Sequence, residues 1–308
     1  MANGKVAVFG PNPLLSITIE ARAGDGDDIH VHAAGQGVWV ARMAGELGAH
    51  PVLCGFLGGE TGSALRPLLD QLPGELRLVE TAAPSGSYVN DRRSGERVVV
   101  SLAPSPPPSR HEIDDLFSAT CAAALDAGVL AVCNPYPGEA LPLGLYGSLV
   151  ADVRENGAKV LVDLSSPRLD SALDGSPDIV KLNDWELAEF VSGPVGTDAE
   201  LRSACERLRE RGAAAVIATR AEQPALVVRE EGAWWLVPPR FDRGSREGCG
   251  DSMMGAIAAC VADGREWREA LMIGAAAGAA NFLRHGLGTG ARSVVDDLAR
   301  RVELIPVD

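Results

Sequence analysis

The chain has 308 residues, 46% of them hydrophobic, which is ample core for one large α/β domain or two ordinary ones. Its 28 Lys and Arg stand against 42 Asp and Glu, a formal charge of -14, and no basic stripe gathers the cations, so nucleic acid is a poor partner. The apolar stretch before Gly10 is too short for a signal peptide and no run approaches the roughly 20 apolar residues of a membrane span. A cytoplasmic protein with no membrane partner is expected, its widely spaced cysteines being buried free thiols rather than disulfide or zinc ligands.

Residues 5–9 read as a strand leading to the turn Gly10-Pro11-Asn12-Pro13. Apolar and polar residues then alternate over 16–21 and 29–34 around the turn-rich 24–28, a hairpin with one wet face. From 38 to 48 the period changes: Val40, Met43, Ala44 and Leu47 form the stripe of an amphipathic helix that Gly48 stops. Strand 51–57, helix 61–72 and strand 75–81 follow, and such alternation predicts a mostly parallel sheet covered by helices on both faces. A second hairpin pairs 87–93 with 96–102 around Ser94-Gly95. Neither hairpin contains a helix, so the two excursions, about 14–34 and 86–103, are expected to build one small β-sheet lid on a single domain spanning 1–308; separate edge hairpins are the alternative.

After a proline-rich hinge, Ser109 and Glu112 give a capping-box start to a helix running through Ala124. Strands are expected at 129–133, 159–164, 178–182 and 214–219. Helices are expected at 141–156, from Asp184 and at 198–211, with a short element at 168–173 and antiparallel strands at 225–230 and 233–237. Beyond the Gly-rich loop 242–250 lie three helices, 251–262, 266–284 and 293–303, the first apolar on nearly every side.

Gly248-Cys249-Gly250-Asp251 opens that buried helix. A Gly-x-Gly turn there lets unpaired backbone amides point at one spot, where the helix dipole favours an anion. Asp251 at the same end would repel a resident phosphate unless it had another task, and phosphoryl transfer supplies one: taking the proton of the attacking hydroxyl. A plain helix cap is the competing reading. The loop lacks the Gly-Lys-Ser/Thr of a Walker A sequence and the third glycine of a dinucleotide fingerprint.

Context separates the two. NPLLSITIE stands where an Asn-Pro-x-x-Asp opening would be, AGQGVWVARMAGELG where Gly-Gly-Lys-Gly-Ile-Asn-Val-Ala-Arg would be, and GGETG follows a strand; VKLNDWE matches Lys-Pro-Asn-x-x-Glu and REGCGDSMMGAI matches Gly-Ala-Gly-Asp. In this order they make the chain, over essentially its full length, resemble the ribokinase-like (PfkB) carbohydrate kinases, nearest the 1-phosphofructokinase and tagatose-6-phosphate kinase branch. The resemblance implies a Rossmann-like α/β body with a small β lid. It also implies ATP-dependent phosphorylation, with Mg²⁺, of an alcohol on a small molecule. Asp251 would be the base, the amides of Gly248, Cys249 and Gly250 the anion hole, and Asn183 and Glu186 the pair holding Mg²⁺ through water. Thr219, Arg220 and Asn281 would lie along the nucleotide, and Asn12, Ser16, His32, Gly35, Gln36, Trp39 and Ser87 along the acceptor.

The departures fall mostly on the acceptor side. Ser16 replaces an aspartate that holds sugar hydroxyls, Gln36 a lysine associated with phosphorylated substrates, Trp39 an asparagine, and Ser87 an arginine. These exchanges remove charge and add a rigid ring, which favours a less charged or bulkier acceptor, sugar-like or nucleoside-like, over a sugar phosphate. A 1-phosphofructokinase-like sugar-phosphate kinase is one alternative, and a catalytically silent ligand-binding or regulatory protein on the same fold is another. The turn TRAEQP, with Ala221 and Pro224, restricts a place where glycines are usual. Cys249 reads as a small filler, His30 and His32 as same-face lid residues without a third metal ligand, and His285 as part of a helix terminus near the nucleotide. The lid's apolar face needs a cover, and the resemblance implies a homodimer through paired lids.

Overall fold

The computed structural model describes residues 4–22, 24, 26–137, 141–284 and 287–307; His285 lies outside them. The first half of the chain comprises β1 (Lys5–Phe9), β2 (Leu14–Ala21), β3 (Asp27–Ala34), α1 (Gln36–Glu46), β4 (His50–Gly58), α2 (Gly59–Leu69), β5 (Glu75–Thr81), β6 (Ser87–Asp91), β7 (Val98–Ala103), α3 (Arg110–Ala127) and β8 (Val129–Cys133). Then come α4 (Leu143–Glu155), β9 (Lys159–Asp163), α5 (Arg168–Asp174), β10 (Ile179–Asn183), α6 (Asp184–Val191), α7 (Asp198–Glu210) and β11 (Ala215–Arg220). The chain closes with β12 (Gln223–Arg229), β13 (Gly232–Val237), α8 (Cys249–Ala262), α9 (Trp267–Phe282), α10 (Arg292–Ala299) and β14 (Glu303–Pro306).

Ten strands form the body sheet in the order β14-β13-β12-β11-β10-β9-β8-β1-β4-β5. The run from β11 to β5 is parallel, and β12, β13 and β14 add an antiparallel edge. Alternation along each strand feeds two cores: Val6 and Val8 of β1 pack on the side of α1, α8 and α9, Ala7 and Phe9 on the side of α3, α4 and α7. The final strand departs from expectation. The last helix stops at Ala299, and Glu303–Pro306 pairs with β13 instead of continuing the helix to 303. Four residues at an edge are too few to show a period.

The two hairpin excursions meet in one four-stranded sheet, β3-β2-β6-β7, because β2 and β6 pair in parallel with Ser16 opposite Tyr88. Separate edge hairpins are therefore excluded. At the end of β11 the chain turns back immediately into β12, and Ala221 takes φ 47 to do so, a left-handed conformation costly for any residue with a Cβ.

Candidate active site

The carboxyl ends of β9, β10 and β11 open toward the start of α8, the place where open parallel sheets bind ligands. Gly248 caps α8 with φ 74, which glycine adopts without a Cβ penalty, and no side chain caps this end. The Cys249 N–H donates to Arg246 O at 3.3 Å, so the expectation that it points at an anion is corrected. Among the described residues the amides of Gly250 and Asp251 have no protein acceptor. The Cys249 thiol donates to Ser245 O at 3.5 Å and burial pushes its pKa up, so the helix end does not activate it.

Directly beneath this turn is an ion pair whose lysine stands in VKLNDWE but whose partner lies in no motif. Lys181 and Asp163 occupy adjacent places on the parallel strands β10 and β9, with Lys181 Nζ 2.6 Å from Asp163 Oδ2 and both side chains almost wholly buried. A Cβ on Gly250 would lie 2.5 Å from that Nζ, so any larger residue there would have to displace the ammonium. Burial opposes the charge on Lys181, but Asp163 and Asp251 outweigh it and hold its pKa above the usual value. The sequence signal was available: one charge in each of the apolar runs VLVDL and IVKLN.

Asp251 stands in the first turn of α8, and burial pushes its carboxyl up to about 7. Lys181 pulls the value down, Asp163 and Glu186 push it up, and a hydrogen bond from Gln36 favours the charged form. Gln36 also accepts from the Asn134 N–H. It therefore orients Asp251, and like Asp251 it stands outside the lining of the lid cavity.

Asn183 and Glu186 form a reciprocal capping box at the start of α6, with Asn183 N to Glu186 Oε2 at 2.8 Å and Glu186 N to Asn183 Oδ1 at 2.9 Å. Burial first, then Asp163, raises the Glu186 pKa. Asp163, Asp251 and Glu186 thus share one lysine, an excess of negative charge that would suit a divalent cation. Among the described residues no three His, Cys, Asp or Glu side chains converge as a direct cage, so such an ion would keep waters.

From Gly250 a cleft of about 780 Å³ extends past Asn183 and Thr219 to Phe241 and Ala279, a volume suited to a nucleotide. Thr219 donates to Leu182 O at 3.2 Å. Arg220 borders the cleft but is engaged: Nε donates to Pro224 O at 2.9 Å, Nη1 to Asp198 at 3.3 Å, and its guanidinium lies 4.5 Å from the Trp235 ring centre. Asn281 does not border the cleft. Fully buried, it donates to Glu247 O at 2.7 Å and accepts from Gly288 N at 2.8 Å, fixing the loop before α8.

A second, smaller cavity of about 70 Å³ lies between lid and body. Ser16 and His32 face it from β2 and β3, and Trp39 borders it while packing on Leu14, Ala34 and Tyr88. Burial lowers the His32 pKa, with His30 and Arg42 adding to the effect. Ser87 is one residue out of phase with Tyr88 and faces away, so its expected contact is corrected. Asn12 is buried outside this cavity, and Gly35 caps α1 with φ 112. The cavity carries charge: Arg42, which ends the quoted Val-Ala-Arg stretch, with Arg92 and Arg97, which lie outside the motifs, and Glu20 and Glu247 opposing them. Those arginines come from positions other than the altered ones, and the lid brings them together only in three dimensions.

A family model described as "pfkB family carbohydrate kinase" matches residues 14–293. The chain is 24% identical over 308 residues to the 1-phosphofructokinase of Vibrio cholerae, covering 97% of this chain and 96% of that one. It is 28% identical over 256 residues to the ATP-dependent 6-phosphofructokinase isozyme 2 of Escherichia coli K12, 82% of each. The crystal structure of phosphofructokinase-2 from Escherichia coli in complex with fructose-6-phosphate superposes with a TM-score of 0.83 at 23% identity, covering 97% of this chain and 99% of that one.

Proposed function

Because the chain belongs to the pfkB family of carbohydrate kinases and is an ATP-dependent small-molecule kinase, we propose that Asp251 is its base and that an anionic sugar, such as a sugar phosphate, is its acceptor. The observation that carries the base is its position: a carboxyl at the start of α8, oriented by Gln36, next to the free amides of Gly250 and itself. ATP would lie in the larger cleft with its terminal phosphate toward these amides, and the acceptor in the lid cavity. Asp251 takes the proton of the acceptor hydroxyl as its oxygen bonds to the γ-phosphorus, the bond to the β,γ-bridging oxygen breaks, and ADP leaves. The Gly250 and Asp251 amides, backed by Lys181, hold charge developing on the transferring group. Glu186 and Asn183 would hold Mg²⁺ through water; the ion, when bound, neutralises phosphate charge. The remaining steps belong to protein groups.

The anionic acceptor is supported by three arginines against two glutamates around the lid cavity of a chain whose net charge is -14. The less charged acceptor expected from Ser16, Gln36, Trp39 and Ser87 is the competing reading. A nucleoside-like acceptor rests on one observation, the Trp39 ring at the cavity wall. Assays of ATP turnover with Mg²⁺ across sugar phosphates, free sugars, nucleosides and aminosugars decide. Fastest turnover is expected with a sugar phosphate, lost with Asp251→Asn; a neutral nucleoside as best substrate would reject the acceptor assignment. Product formed equally well by Asp251→Asn would reject the base and leave a binding role on this fold.

Two further features belong to this reading. We place the protein in the cytoplasm, in support of which no described helix is long and apolar enough to cross a membrane. A homodimer through the lids is supported by their outer face, where Ile29 and Val31 are 66% and 47% exposed.

A further inference from the structure

The residue before Gly248 makes a contact that neither the fold nor the transfer chemistry requires. Glu247 pairs through its carboxylate with Arg97, which precedes β7 on the lid. Arg97 is held on its own side as well: Nε donates to Asn90 Oδ1 at 2.9 Å, and its guanidinium lies 5.1 Å from the centre of the Tyr88 ring. Tyr88 in turn is buried and bonded to Ser16. On the body side the backbone of Glu247 is fixed by Asn281, and Ser245 N donates to Phe282 O at 2.9 Å. A braced lid residue therefore meets a braced loop residue across the acceptor cavity, which both border.

We infer that Glu247 is a positioning residue for the acceptor, acting by holding Arg97, and with it the lid, in register with Asp251. Five consecutive residues, 247 to 251, carry the lid anchor, the anion-site amides and the base. An acceptor held by the lid is thus located relative to Asp251 by a few residues of covalent chain and not by the far longer path through β2, α1 and the sheet. Arg97 has five N–H donors. Asn90 and Glu247 use two in the contacts above, so others remain for the acceptor. The neighbouring Arg246 pairs with Glu222 on the nucleotide side, but both side chains are mostly exposed and that contact holds little.

The inference rests on the kinase reading for its kinetic consequence but not for its structural one, so the test has two arms. Amide hydrogen exchange of the full-length protein, without any acceptor, compares wild type with Glu247→Gln and Arg97→Gln. Peptides spanning 86–103 and 245–251 should exchange at least threefold faster in either variant and no faster in the double variant, with β8 to β10 unchanged. Unchanged lid exchange in both variants would overturn the inference. With the acceptor that the substrate screen identifies, either variant should raise the acceptor KM about tenfold or more while leaving the ATP KM within twofold. An unchanged acceptor KM, or single-variant effects that multiply in the double variant, would overturn it too. If the screen finds no acceptor, the kinase reading fails there, and the exchange arm still decides whether Glu247 anchors the lid.

Discussion

Asp251 is charged at neutral pH only partly, because the burial that surrounds it with lysine, glutamine and amides also raises its pKa to about 7. As a base it must be ionised, so kcat/KM is expected to rise with pH through an acid limb near pH 7; a limb near pH 4 would show that Asp251 is solvated in the working enzyme. The same shift affects stability with a definite sign. A carboxyl whose pKa is raised in the folded state stabilises fully below its unfolded value of 3.8 and loses that contribution as pH climbs through about 7. Asp251→Asn should lower turnover by a factor of about 10² to 10⁴. It should also melt higher than wild type at pH 8, an advantage that shrinks toward pH 4 in thermal scans. Equal melting temperatures at both pH values would remove the buried-carboxyl account. Lys181 shows the limit of motif reading at this scale: a lysine in an apolar strand is visible as an anomaly, but its partner Asp163 is found only when β9 and β10 lie side by side.

At the scale of elements, the loop before α8 matters more than the helix itself. Its shape depends on one buried amide, Asn281, which binds Glu247 O and Gly288 N from α9. Removing that amide leaves buried polar groups unpaired, about 1–3 kcal/mol each, and frees the turn that presents the Gly250 amide. Asn281→Ala should therefore lower kcat about tenfold or more, with a modest loss of stability by urea titration. A variant that lost stability but kept full kcat would make Asn281 a packing residue only. The family resemblance implies a place for Asn281 along the nucleotide. The structure has Asn281 holding a loop, and sequence offers no signal for that because its partners Glu247, Cys249 and Gly288 lie 34, 32 and 7 residues away.

For the molecule as a whole, the lid settles what the body leaves open. Its inner face supplies Ser16, His32, Tyr88 and Arg97 to the lid cavity, and its outer face offers Ile29 and Val31 to solvent. Covering that face with a second copy is the expected state in solution. Val31→Glu should shift the protein to monomer in sedimentation velocity, whereas an unchanged monomer in the wild type would leave the face without a partner of its own kind.

Sequence alone determined the α/β body, the two lid excursions and the Gly-Cys-Gly-Asp turn, because hydrophobic period, turn residues and helix starts are local and need no partner to be read. It placed Ser87 at the acceptor by position in a motif, and there the strand phase decided otherwise. Only the tertiary structure gathered Arg42, Arg92 and Arg97 around one cavity, paired Lys181 with Asp163 under the turn, and set Glu247 against the lid. Charges far apart in the chain acquire meaning only through the distances that folding imposes.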